Sequence, residues 1–198
     1  MQLTPTRLQA QIQFIVEIDK LKHVLRQTLL MNKSRRENDA EHSWHLAMMA
    51  IVLSEYADPQ VDLLRVLKMV LIHDLVEIDA GDTFCYDASA LQDQAEREQK
   101  AADRLFGMLP ENLEKELRSL WEEFEAKETI NARFAAALDR LQPLLHNYYT
   151  QGGTWRMAGI TVEQVRKRME PVSIGSPVLG EFVENLIEDA VQQGFILH

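Results

Sequence analysis

Apolar residues recur along most of this chain at the alternating three- and four-residue spacing that lines one face of an α-helix. Over residues 6–24 the stripe is Leu8, Ile12, Ile15, Val16, Ile18 and Leu21. Over residues 40–56 it is His42, Leu46, Met49 and Leu53, with Asn38 or Asp39 placed to cap the helix. The polar, aperiodic stretch between them, residues 32–39, reads as a loop. Asp58-Pro59 has the form of an N-cap followed by a proline at the first helical position. The helix it opens should end near Glu77 to Ala80, with Gly81 suited to the exit.

After a turn over residues 82–89, residues 91–109 form a charged amphipathic helix with Ala95, Ala102, Leu105 and Phe106 inward. Pro110 starts another, striped by Leu113, Leu117, Leu120, Trp121 and Phe124. Residues 129–149 follow with Ile130, Phe134, Ala137, Leu138, Leu141 and Leu145, and Pro143 should kink this helix. Residues 151–154 read as a loop, and Thr161-x-x-Gln164 is a capping box opening a helix to about residue 170. Gly175-Ser176-Pro177 leads into a last helix that reaches Gln193 and stops at Gly194. No strand period persists and no repeat occurs. The pattern predicts an all-α single domain, residues 1–198, of about seven to nine helices.

Composition narrows the class. Hydrophobic content of 46% with 26% charged residues is that of a globular protein. The longest apolar run, residues 46–53, is eight residues, against roughly 20 needed to span a bilayer, so no membrane partner is expected. No signal-peptide pattern opens the chain, which places it in the cytoplasm. The single cysteine, Cys85, excludes an internal disulfide and a multi-cysteine zinc site. A net charge of -10 disfavours nucleic acid as a partner. An anionic small substrate would need a local positive pocket or a metal against that field.

The chemistry gathers at Leu71-Ile72-His73-Asp74-Leu75-Val76-Glu77-Ile78-Asp79-Ala80-Gly81-Asp82. An apolar helix there delivers an adjacent His-Asp pair. Burying such residues costs free energy unless they are paired, hydrogen-bonded or bound to a metal. His42 and Asp139 occupy apolar positions on two other helices. Together they make a set of two imidazoles and two carboxylates suited to a divalent ion such as Mn, Fe, Co, Ni, Zn or Mg. Such an ion polarises a phosphoryl group and acidifies water. Taken singly, His42 would serve as an ordinary core histidine and Asp139 as a partner for Arg140 or Arg133. His45, one turn from His42, reads as a supporting or packing residue, and Cys85 as a nucleophile is the weaker reading of that thiol.

The order H…HD…D on separate helices resembles the HD-domain superfamily of metal-dependent phosphohydrolases. The resemblance covers roughly residues 20–149. Residues 21–26 (Leu-Lys-His-Val-Leu-Arg), Glu41-His42-Ser43, residues 73–82, Leu109-Pro110-Glu111, residues 120–125 and Leu138-Asp139 are similar to the branch that contains the 5'-deoxynucleotidases. It implies a helical bundle that hydrolyses nucleoside 5'-monophosphates, preferring deoxyribose, to nucleoside and phosphate. His42, His73, Asp74 and Asp139 then match the metal ligands. Glu77 matches the carboxylate that orients or deprotonates the attacking water, and Asp82 the one that helps the leaving 5'-oxygen take up a proton. Arg26 matches the arginine that contacts the substrate phosphate, and a homodimer is implied, with the helix of Trp121 and Phe124 as one candidate contact. Family members usually carry a tryptophan shortly after that arginine, packed on the sugar. Here the run is Arg26-Gln27-Thr28-Leu29-Leu30, without an aromatic, so the sugar preference does not follow from the motif.

Two other readings compete. A pyrophosphohydrolase or phosphodiesterase of the same superfamily would act on another nucleotide, but the alarmone-type branch has an acidic residue and an asparagine where this chain has Ile78 and Pro143. A non-catalytic helical scaffold would keep the metal for stability alone and would need neither Glu77 nor Asp82. Residues 150–198 carry no motif, and neither the native metal nor the base preference is marked.

Overall fold

The computed structural model of the protein describes residues 6–87 and 92–196. It is all-α apart from one short hairpin. Thr6 and Gln9 form a capping box that opens α1 (Arg7–Ile18), which tightens into a 3-10 turn over Asp19–His23. The chain then forms β1 (Leu25–Leu29) and β2 (Arg36–Asn38), paired antiparallel with Leu25 opposite Asn38 and Leu29 opposite Arg36. Asn38 caps α2 (Asp39–Val52) through a reciprocal capping box with Glu41. The polar stretch expected as loop therefore holds strand β2.

The next helix starts later than Asp58-Pro59 predicts. Asp58 accepts a hydrogen bond from Gln60 N at 2.8 Å and its carbonyl from Val61 N at 2.9 Å, so Pro59 shapes a turn. Asp62 is the true N-cap, accepting from Arg65 N, and α3 spans Leu63–Ile72. A 3-10 turn, His73–Val76, and a single helical turn, α4 (Glu77–Ala80), continue it. Gly81, at φ 76°, turns the chain out of α4 in a conformation that side chains rarely adopt. The end of the following turn at Ser89 and the predicted helix start at Leu91 lie outside the described residues.

Five helices follow the turn: α5 (Gln94–Phe106), α6 (Glu111–Ala126), α7 (Ile130–Tyr149), α8 (Gly153–Ala158) and α9 (Val162–Gly175), before α10 (Pro177–Gln192). Among the described residues, eight of the ten helices have ten or more residues, and the two short ones, α4 and α8, start in stretches read from the sequence as a helix end and a loop. α7 is the central helix: α2, α3, α6 and α9 all pack on it, and Phe134, Ala135, Ala137, Leu138 and Leu141 are buried. It continues through Pro143, and α9 likewise continues through Pro171 to Gly175, past the expected end. Packing between α7 and α10 holds α9 helical there, where local propensity would end it. A Cβ at Gly175 would meet the Arg133 carbonyl at 2.3 Å, which fixes glycine at this close approach.

The structure orients the α1 stripe, a direction the sequence left open, and corrects the expected dimer contact. The stripe of α1 points outward, with Leu8, Ile12, Ile15 and Val16 each more than half exposed, while Phe14 and Leu21 anchor the segment. Trp121 and Phe124 are buried in the chain's own core and are not available as a dimer contact.

Candidate metal centre

Three elements deliver the predicted ligands to one buried point. The Asn38 capping box sets the start of α2 and places His42 one turn inside it. The 3-10 turn after α3 buries His73 and Asp74, and the middle of α7 presents Asp139. His42 Nε2 lies 3.0 Å from Asp139 Oδ1 and 3.8 Å from Asp74 Oδ2. His73 Nε2 lies 3.0 Å from Asp74 Oδ1 and 3.7 Å from Asp139 Oδ1, yet it has no hydrogen-bond partner among the described residues. Adjacent ligands around an octahedral ion with bonds of roughly 2.1 Å sit about 3 Å apart. The donor set and its spacing fit a divalent ion.

Each imidazole has its far nitrogen occupied. His73 Nδ1 meets the Val70 carbonyl at 3.0 Å, one of the carbonyls orphaned at the end of α3. His42 Nδ1 meets Gln142 Oε1 at 3.1 Å. The roles of Gln142 follow from its neighbours: its amide nitrogen is 2.7 Å from Glu37 Oε1 and 3.0 Å from His146 Nε2, both acceptors. His146 is an acceptor there because its Nδ1 donates to the Leu29 carbonyl at 2.8 Å. Gln142 Oε1 therefore accepts from His42 Nδ1, which leaves His42 Nε2 as a bare lone pair directed at the centre. Gln142 carries no sequence motif; the available signal is its polar side chain three residues after Asp139 in an otherwise apolar stretch of α7.

Burial, helped by the Arg26 charge, holds His42 down to about 4, so this imidazole is neutral. Burial works in the same direction at His73, but the Asp74 and Asp139 carboxylates outweigh it and raise His73 to about 10. Asp74 is pulled down to about 2 because His73 and Arg26 overcome the penalty of burial. The point between these groups attracts positive charge.

A second group of carboxylates borders the centre. Asp39, Glu77 and Asp82 bring oxygens within 4.8 Å of one another. Burial, then the charges of Asp74 and Asp39, raise Glu77 well above the usual carboxylate range; burial raises Asp82 as well. Asp39, proposed from sequence only as a cap, is fully buried and is pushed up to about 7 by burial and by Asp74. Arg26, projecting from β1, faces this group: its Nη1 donates to Asp74 Oδ2 at 2.8 Å and Asp39 Oδ1 at 3.2 Å. Its buried Nε has no hydrogen-bond partner among the described residues. The centre opens into a cavity of about 330 Å³ lined by His73, Asp74, Glu77, Asp82 and Asp139. Cys85 lies at its edge with a thiol that burial pushes up, the reverse of an activated nucleophile.

This is an all-α protein with a buried nitrogen-and-oxygen centre able to bind a divalent metal ion. More particularly, the chain belongs to the HD-domain family, whose model, described as HD domain, matches residues 18–177. A crystal structure of a predicted metal-dependent phosphohydrolase from Magnetospirillum magnetotacticum MS-1 is 57% identical, covers 97% of this chain and 96% of that one, and superposes with a TM-score of 0.94. The 5'-deoxynucleotidase HDDC2 of Homo sapiens is 32% identical over 135 residues, 68% of this chain and 65% of that protein. The 5'-deoxynucleotidase ECA3034 of Pectobacterium atrosepticum is 28% identical over 118 residues, 56% of this chain and 59% of that protein. The chain thus spans just under two thirds of the length of the human relative. No helix among the described residues is long and apolar enough to cross a membrane.

Proposed function

We propose that this protein is a metal-dependent 5'-nucleotidase that releases phosphate from nucleoside 5'-monophosphates, deoxyribonucleotides foremost. The observation that carries the reading is that two carboxylates, the buried Glu77 and the half-buried Asp82, line the same cavity as the His73, Asp74 and Asp139 cluster. A scaffold that kept a metal for stability would need neither of them. His42, His73, Asp74 and Asp139 hold the ion in this reading, and when bound it supplies charge to polarise the phosphoryl oxygens. Glu77, whose proton affinity is raised by burial and by Asp74, takes the proton of the attacking water. Asp82, on the same cavity wall, returns a proton to the leaving 5'-oxygen. Arg26 has its Nη1 engaged by Asp74 and Asp39, so it meets the phosphate through its remaining N–H groups.

The aromatic absent after Arg26 has a substitute in space: Trp155, from α8, lines an adjoining cavity together with Arg26, Gln27 and Thr28. This supports retention of the deoxyribose preference. The reading takes residues 1–198 as one HD domain acting in the cytoplasm as a homodimer. Trp121 and Phe124 being buried, the exposed apolar residues of α1 are the surface to test for that contact. The relatives' names and the donor geometry support the reading together.

The test is phosphate release from a panel of ribo- and deoxyribonucleoside monophosphates, with Mn, Co, Mg or Zn added to metal-stripped protein. Selective release from the deoxy substrates is expected. Release from both sugars would remove the selectivity, and no release from any monophosphate would overturn the reading.

A further inference from the structure

Arg168 stands apart from the other arginines. Among the described residues it is the one arginine whose guanidinium has neither a hydrogen bond nor an ion pair. It is half-buried on α9 and lies on the common wall of two cavities. One holds the metal centre, and the other is lined by Phe84, Tyr86 and Trp155. A partly buried cation without an anion is costly, and here the cost is compounded by a second guanidinium, Arg140, on the same wall. Arg140 is committed: its Nη1 donates to Asp139 Oδ2 at 2.5 Å. Burial and the Arg140 charge both lower the proton affinity of Arg168. In a chain of net charge -10, an uncommitted guanidinium facing a cavity is placed for an incoming anion.

We infer that Arg168 is a substrate-binding residue, which receives the phosphate of a nucleotide at the boundary between the metal centre and the aromatic cavity. The planar fork of donors suits phosphate oxygens. Its position leaves the rings of Phe84, Tyr86 and Trp155 as the wall for the nucleoside. The α8–α9 segment, which carries Trp155 and Arg168, then completes the substrate pocket. The inference rests on the nucleotidase reading for the identity of the anion; the unpartnered guanidinium does not depend on it.

The experiment titrates inorganic phosphate into metal-loaded wild type, Arg168→Met, Arg168→Lys and Arg166→Met by calorimetry, alongside kcat and KM for a deoxynucleoside monophosphate. Arg166 is the control, since it removes the same charge from an exposed site paired with Glu184. Loss of a charge-assisted contact predicts phosphate binding weakened about tenfold or more in Arg168→Met. KM should rise by a similar factor with kcat less affected, Arg168→Lys should recover part of the loss, and metal content and melting temperature should be unchanged. Phosphate binding in Arg168→Met within about twofold of wild type, an equal loss in Arg166→Met, or no saturable binding by the wild type would each overturn the inference. Turnover with Arg168→Met unaffected sinks the inference and leaves the nucleotidase reading intact. Arg168-dependent phosphate binding without turnover of any monophosphate does the opposite.

Discussion

Two buried clusters of imidazole and carboxylate groups share helix α7, and they differ in what sits at the middle. At the first, around Asp139, the donor atoms of His42, His73 and Asp139 converge within 4.8 Å, with Asp74 beside them, and His73 Nε2 has no hydrogen-bond partner among the described residues. At the second, Glu37, His45 and His146 converge as closely. There the amide nitrogen of Gln142 occupies the centre, at 2.7, 3.3 and 3.0 Å from the three donor atoms. A count of ligand-type atoms cannot separate the two. The difference is whether the protein supplies the hydrogens: the two amide hydrogens of Gln142 go to Glu37 and His146 in the second cluster, whereas the first presents lone pairs that only a proton or a metal ion can meet.

The largest effect that would sharpen this contrast comes from the first cluster. Asp74→Ala removes one ligand and should abolish metal binding and activity together, by roughly a thousandfold or more in kcat/KM; metal content by mass spectrometry is the decisive readout. His146→Ala, in the second cluster, should leave one ion per chain bound. Bound metal at full stoichiometry in Asp74→Ala, or its loss in His146→Ala, would erase the distinction. Next in size is Glu77→Ala, expected to keep the metal while losing about a hundredfold to ten-thousandfold in kcat, the range of a general base. Wild-type turnover in that variant would remove Glu77 from the chemistry.

The helices and the four candidate ligands, His42, His73, Asp74 and Asp139, stood out in the sequence because helical periodicity makes a histidine or aspartate at an apolar position conspicuous. Other parts were hidden for physical reasons. The hairpin turns polar residues inward: Thr28 is buried and Arg26 faces the centre, while Leu25 is 48% exposed. Its two-residue alternation is therefore inverted relative to an ordinary half-buried strand. Periodicity identified the α1 stripe but not which side it faces. Gln142, Arg168 and Trp155 lie far in sequence from the side chains beside them at the site, His42 and Arg26 among them, and the one local signal, a polar residue in an apolar stretch of α7, does not say which imidazole Gln142 meets. The Gly152-Gly153 stretch has the composition of a loop, yet α8 begins at Gly153.

A smaller effect tests the link between the clusters. Gln142→Leu leaves the His42 Nδ1 hydrogen, Glu37 and His146 without their shared partner. Each buried group stranded in this way costs about 1–3 kcal/mol. Losing the partner of a ligating histidine weakens metal binding about 10- to 100-fold. The expected result is a lower melting temperature and a metal affinity reduced within that range, measured by competition with a chelator. Unchanged affinity alongside lowered stability would make Gln142 a packing residue with no hold on the ligand.

The smallest effect concerns protons and separates the two histidines of the first cluster. His42, held at about 4, is already neutral at pH 7 and has no proton to give. His73, raised to about 10, is charged there, and since Nδ1 is engaged by the Val70 carbonyl its dissociable proton sits on Nε2, between Asp74 and Asp139. A metal ion must displace that proton, so binding should release about one proton per ion near neutral pH. Affinity should then rise with pH until His73 titrates near 10. The metal-stripped protein should show the linked trend in stability. A group whose folded value exceeds its unfolded value of about 6.5 stabilises fully below the unfolded value and loses that contribution as pH climbs through the folded one. The melting temperature of stripped protein should therefore gain less from His73 as pH goes from 7 towards 10, a loss that metal loading suppresses. Calorimetry in buffers of different ionisation enthalpy counts the protons directly. Release of none would mean that His73 Nε2 is bare before metal arrives, and release of two would mean that burial does not keep His42 neutral.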